Sequence, residues 1–163
     1  MDNAVKAIAS GLVLLLSLTL LAACGSSGPV RRVSEPAANI QQLEVHADGS
    51  WSLELRLDNF SSVPMRFDQV DATLAIAGQP AFALHATPGL GIGPESADVV
   101  TLTVMPPAGA KIAVADALAR GARVAYHLGG SVRATPDKGS QRSWELDRDN
   151  ALSPVPGLPG VLR

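Results

Sequence analysis

Trp51-Ser52-Leu53-Glu54-Leu55-Arg56-Leu57-Asp58 decides the fold. Apolar side chains stand at every second position, with polar or charged ones between them. A period of two puts Trp51, Leu53, Leu55 and Leu57 on one face of an extended strand and Ser52, Glu54, Arg56 and Asp58 on the other. One buried and one wetted face is the pattern of an antiparallel sheet covered on one side. Just upstream, Leu43 and Val45 alternate with Gln42, Glu44 and His46, and Asp48-Gly49 offers a hairpin turn between the two runs. Asn59-Phe60-Ser61-Ser62 breaks the pattern downstream.

The period then resumes with a change of phase. Met65 and Phe67 share one parity, while Val70, Ala72, Leu74 and Ile76 share the other, which predicts a bulge or bend near Asp68-Gln69. Gly78-Gln79-Pro80 turns the chain into a short strand over 81–86. The run from Thr87 to Pro94, with Pro88, Gly89, Gly91 and Gly93, reads as a loop. A strand rich in β-branched residues over 98–105 stops at Pro106-Pro107. One helix is expected over 111–120, with Ile112, Ala115, Leu118 and Ala119 on one side, Asp116 and Arg120 paired at i,i+4, and Gly121 as C-terminal cap. Strands over 124–132 and 143–147 follow, the second centred on Trp144 and Leu146. Residues 151–163 carry Pro154, Pro156 and Pro159 without any period and read as an extended or disordered tail. About seven strands at short spacing with one short helix predict a mostly β fold. Its expected form is an antiparallel sandwich of immunoglobulin or fibronectin III type.

At the other end, Leu21-Ala22-Ala23-Cys24-Gly25 holds the chain's only cysteine. Lys6 precedes a nearly uninterrupted apolar run that closes on small residues, which is the order of an export signal. The run is shorter than the roughly 20 apolar residues of a spanning helix. A cysteine placed directly after the small pair resembles the lipobox of bacterial lipoproteins. That resemblance implies cleavage between Ala23 and Cys24, a diacylglyceryl group on the Cys24 thiol, and Cys24 as the acylated first residue. Membrane lipid is thus an expected partner, since each buried methylene is worth about 0.8 kcal/mol and two or more chains hold firmly. Gly25 in place of Asp favours, by the same resemblance, the outer membrane with the domain facing the periplasm.

The chain divides accordingly into a signal peptide (1–23), an acylated terminus and tether (24–39), a sandwich (40–150) and a Pro/Gly-rich tail (151–163). With Cys24 acylated no thiol remains for a disulfide, so burial alone must hold the domain. Hydrophobic residues make up 47% of the chain and aromatic ones only 4%, which predicts an aliphatic core. The net charge of −2 and the lack of a basic stripe beyond Arg31-Arg32 argue against a nucleic-acid partner.

Leu53-Glu54-Leu55-Arg56-Leu57-Asp58-Asn59-Phe60-Ser61-Ser62-Val63-Pro64-Met65-Arg66-Phe67 resembles the opening signature of the LEA type 2 family, the WHy domain. In that signature an alternating strand ends at Asn and a Pro-apolar pair begins the next, as Asn59, Pro64 and Met65 do. Leu74-Ala75-Ile76-Ala77-Gly78 and the later Gly121, Tyr126 and Gly130 resemble further parts of the pattern. Phe60 stands where the family has proline, and Leu84-His85 where it has glycine. The resemblance implies a sandwich associated with stress and desiccation protection, without a known catalytic set.

The residues themselves point to no catalytic constellation. His46, His85 and His127 lie on separate strands with no ligand partner at i+2 or i+4. There is no Gly-x-Ser-x-Gly elbow, Asp68 and Asp71 read as solvated edges, and Gly89 to Gly93 lacks a following helix that could hold phosphate. No metal, cofactor or enzymatic activity is expected. Trp51 and Trp144 read as core or core-edge residues. The expected function is a non-catalytic, lipid-anchored envelope module for stress protection or protein interaction. The alternative is a carrier or sensor of lipid or another apolar ligand.

Overall fold

Alternating side chains build nine strands and one helix over residues 31–163, the part of the chain that the computed structural model describes. In chain order they are β1 (Ala37–Val45), β2 (Trp51–Asn59), β3 (Met65–Ile76), β4 (Phe82–Ala86), β5 (Leu90–Ile92), β6 (Ser96–Val104), α1 (Ala108–Arg120), β7 (Val124–Pro136), β8 (Arg142–Leu152) and β9 (Val161–Leu162). Two antiparallel sheets result. One has the order β6-β2-β1-β9; the other runs β4-β3-β7-β8, with β5 also paired to β3. The seven long strands are those the alternation predicts, so the sandwich is confirmed.

The faces follow from parity. Trp51, Leu53, Leu55 and Leu57 are buried on β2 and meet Phe67, Val70, Leu74, Ile76, Leu84 and Leu128 from the other sheet in one core. Each fully buried Leu, Met or Phe contributes roughly 1.5–3 kcal/mol, so aliphatic burial offsets the lack of a disulfide. Trp51 adds an edge-on contact to Phe82, with ring centroids 6.3 Å apart. The β3–β7 register shifts between Phe67 and Gln69, where the change of phase predicts a bulge.

A second register shift, between Ile40 and Gln42 on β1, has no such signal in the sequence. There the Tyr126 hydroxyl, on the facing sheet, accepts from the Ile40 N–H at 3.1 Å and donates to the Ile40 carbonyl at 3.4 Å. Burial raises the Tyr126 pKa above its ordinary value. One side chain thus ties the two sheets together at the irregular point.

Four expectations are corrected. The sandwich begins earlier than residue 40: β1 starts at Ala37, Ala37 and Ala38 are buried, and Arg32 and Ser34 are hydrogen-bonded to Ser62 and Ser61. The run from Thr87 to Pro94 is not all loop, because Leu90–Ile92 pairs with Met65–Phe67. The tail is not disordered: Val161 and Leu162 pair with β1, and Leu162 is fully buried. The helix buries Ala110, Val114 and Ala117, leaving Ile112 71% exposed. In so alanine-rich a helix the apolar period marks no single face strongly, and the face that packs on the sandwich core is the one with Ala110, Val114 and Ala117. Its C-terminus does close on Gly121 (φ 64°), with Ala122 N–H bonded to Ala117 O.

The strands run between two ends of the sandwich. α1 lies at one end, with Gly109 beside Gln79 and Lys111 beside the Gly49 turn. At the other end the chain leaves residue 31, close to the β2–β3 loop: Arg32 donates to the Phe60 carbonyl and pairs with Glu95.

Candidate functional site

The signal-peptide cleavage point, Ala23, and the acylation candidate, Cys24, lie outside the described residues. Polar chemistry among the described residues gathers instead on the outer face of the five-stranded sheet. Because side chains alternate, Asp71, His85, His127, Arg133, Asp147 and Asp149 all share that face across β3, β4, β7 and β8. His85 Nδ1 lies 3.0 Å from Asp71, and His127 Nδ1 lies 3.0 Å from Asp149 and 3.7 Å from Asp147. The fold therefore brings two of the three histidines onto one surface, each with its own carboxylate. His46 sits elsewhere, 2.7 Å from Ser52 Oγ. No group of three or more His, Cys, Asp or Glu side chains among the described residues is placed to hold a metal ion.

Asp68 and Asp71 are more than solvated edges. The bulge turns Asp68 toward Thr135 Oγ1 (2.6 Å), Gln141 Nε2 (3.0 Å) and Arg66 (2.7 Å). Asp71 accepts two hydrogen bonds from Gln69 and lies 3.4 Å from Arg133. Hydrogen bonds from Gln141 and Thr135 lower the Asp68 pKa below the ordinary 3.8, and those from Gln69 and His85 lower that of Asp71.

The lowered values carry a pH dependence of definite sign. A carboxyl with a depressed folded pKa adds stability that is full above its unfolded pKa and is lost as pH falls through the folded one. Stability should therefore drop below about pH 4, and Asp68→Asn should show a shallower drop than the wild type in urea melts at pH 7, 4 and 3. Asp48 and Asp71 keep part of the slope, since both are shifted the same way. Identical slopes for variant and wild type would remove Asp68 from this account.

Grooves among the described residues include two beside the domain's terminal segments. One, of about 410 Å³, lies between Leu118-Ala119 of α1 and the segment Pro154–Gly160, with Val155 and Leu158 as apolar walls. The other, of about 480 Å³, lies along the β8 edge between Glu145–Arg148 on one side and Glu35, Pro36 and Phe60 on the other. Phe60 is 50% exposed. Of the tryptophans, Trp51 is fully buried and Trp144 half-buried against the core, as expected.

No protein-family model matches the chain, and the search of curated proteins found no relative. Solved structures similar to it include a putative late embryogenesis abundant (LEA) protein, At2g46140.1, at 14% identity and a TM-score of 0.48, covering 97% of this chain and 89% of that one. A second is AT1g01470 from Arabidopsis thaliana, at 13% identity and a TM-score of 0.41, covering 80% and 85%. A third is the putative ApaA protein from Bordetella pertussis, at 9% identity and a TM-score of 0.47, covering 80% and 100%.

Proposed function

We propose that this chain is a lipid-anchored, non-catalytic module of the bacterial cell envelope, of LEA type 2 kind, held at the outer membrane and facing the periplasm. The observation that carries the reading is Cys24: the only cysteine, set directly after an apolar run that closes on Ala22-Ala23. A sandwich that is closed by aliphatic burial has no need of that thiol for a disulfide, which leaves it free for acylation. Acyl chains then locate the domain, and its surface protects or organises envelope components under water stress.

Cys24→Ala should abolish incorporation of radioactive fatty acid and release the protein from the membrane fraction. Label that persists in the variant would sink the anchor. The stress role predicts poorer survival of drying or osmotic shock in a deletion strain, and equal survival would count against it.

A second reading, carriage of an apolar ligand, is favoured by the groove between α1 and Pro154–Gly160. Native mass spectrometry of a form that begins after Cys24 separates the two: a bound lipid supports the carrier, a ligand-free spectrum the module.

A further inference from the structure

The geometry points to the β8 edge as a docking site for an extended, positively charged peptide segment, which adds to the five-stranded sheet as a further strand. β8 is eleven residues long and, among the described residues, pairs with β7 alone. Every second residue of such an edge strand turns its N–H and C=O outward, a row of backbone groups ready to bond another strand. The other edges of the sandwich differ. β4 has five residues, β5 three and β9 two; β1, which β9 covers at Leu43 and Glu44 only, and β6 are long but carry one charge each, Glu44 and Asp98.

Along β8 the edge opens into the groove of about 480 Å³, where Glu145–Arg148 face Glu35, Pro36 and Phe60. A strand laid there meets backbone on one side and the exposed Phe60 ring on the other, the combination that gives strand addition both its affinity and its side-chain selectivity. Charge selects the occupant. Glu35, Glu145 and Asp147 are acidic, and Arg148 is the one cation among the lining residues. Like charges directly opposite each other destabilise a pair of strands, and opposite charges favour it. The same carboxylates that discourage two β8 edges from pairing therefore leave the edge open to a cationic strand. This site stands on the groove and the free edge, and does not depend on acylation of Cys24.

The test uses the mature protein purified from cells and a nine-residue peptide of alternating Lys and Val, followed by fluorescence anisotropy and by hydrogen exchange. The peptide should bind saturably and slow exchange at residues 145–148. The same peptide with every backbone nitrogen methylated has no N–H left to donate to an edge, and should bind at least tenfold more weakly. Glu35→Lys with Glu145→Lys should weaken the parent peptide at least tenfold while leaving the thermal melt unchanged, because both side chains are exposed. Equal binding of the methylated peptide, equal binding of a Glu-Val counterpart, protection at Val99–Leu102 of β6 instead, or no saturable binding would each overturn the proposal.

Discussion

Gly130→Ala is expected to leave the chain unfolded, or to cost more than about 4 kcal/mol, the range reached by few single substitutions. Gly130 lies in the interior of β7, opposite Ala72 on β3 and Leu146 on β8. Its φ of 142° is a conformation that L side chains rarely adopt, and a Cβ there would collide with the backbone carbonyl of Asp71 and lie 2.7 Å from Ala72 Cα. Neither obstacle is the end of a flexible side chain, so relief requires moving β3 away from β7. Gly129→Ala is the control. Its Cβ would meet only side-chain atoms, the nearest being His127 Nε2 at 3.1 Å, and that ring can turn aside, so a change under about 1 kcal/mol is expected. Thermal melts of the pair check the argument. A Gly130→Ala protein that melts with the wild type would show that β7 tolerates the displacement.

Asn59 carries the second large effect, about 3 kcal/mol or more on replacement with alanine, since each buried polar group left without a partner costs about 1–3 kcal/mol. The side chain is 1% exposed. Its Nδ2 donates to the carbonyls of Val63 (2.9 Å), Gly93 (2.8 Å) and Ile92 (3.2 Å), and its Oδ1 accepts from the Ser61 N–H at 3.0 Å. One amide thus closes the β2–β3 loop on itself and fastens it to the segment between β5 and β6. Asn59→Asp sharpens the test. A carboxylate keeps the acceptor but loses both donors and faces three carbonyls, so it should cost at least as much as alanine in urea midpoints. An aspartate variant as stable as the wild type would assign the whole role to the Ser61 contact.

Asn59 also shows how far local reading reaches. The sequence marks it as the end of an alternating strand and as a match to the LEA type 2 pattern. It does not reveal that the amide spans 33 and 34 residues to reach Ile92 and Gly93. The candidate site is still less local. Glu35, Phe60 and Glu145–Arg148 come from three distant segments, and no spacing rule links them before the strands are paired. Phe60 stands out in the sequence only as a departure from proline. The outer-face histidines behave similarly: each reads as a strand residue, and only the register of β3, β4, β7 and β8 gives His85 and His127 their carboxylates.

Where a residue's neighbours decide its state, the sequence alone determined the outcome. The period of two made β2 and its buried face, the change of phase placed the bulge beside Asp68, and Gly121 ended α1, because each depends on backbone geometry within a few residues. The tertiary structure decided the rest. Leu90–Ile92 and Val161–Leu162 are too short to hold an extended form by themselves and become strands only where β3 and β1 offer a ladder. The exposed Ile112, the Tyr126 bridge between sheets and the acidic groove beside β8 likewise exist only through packing between elements far apart in the chain.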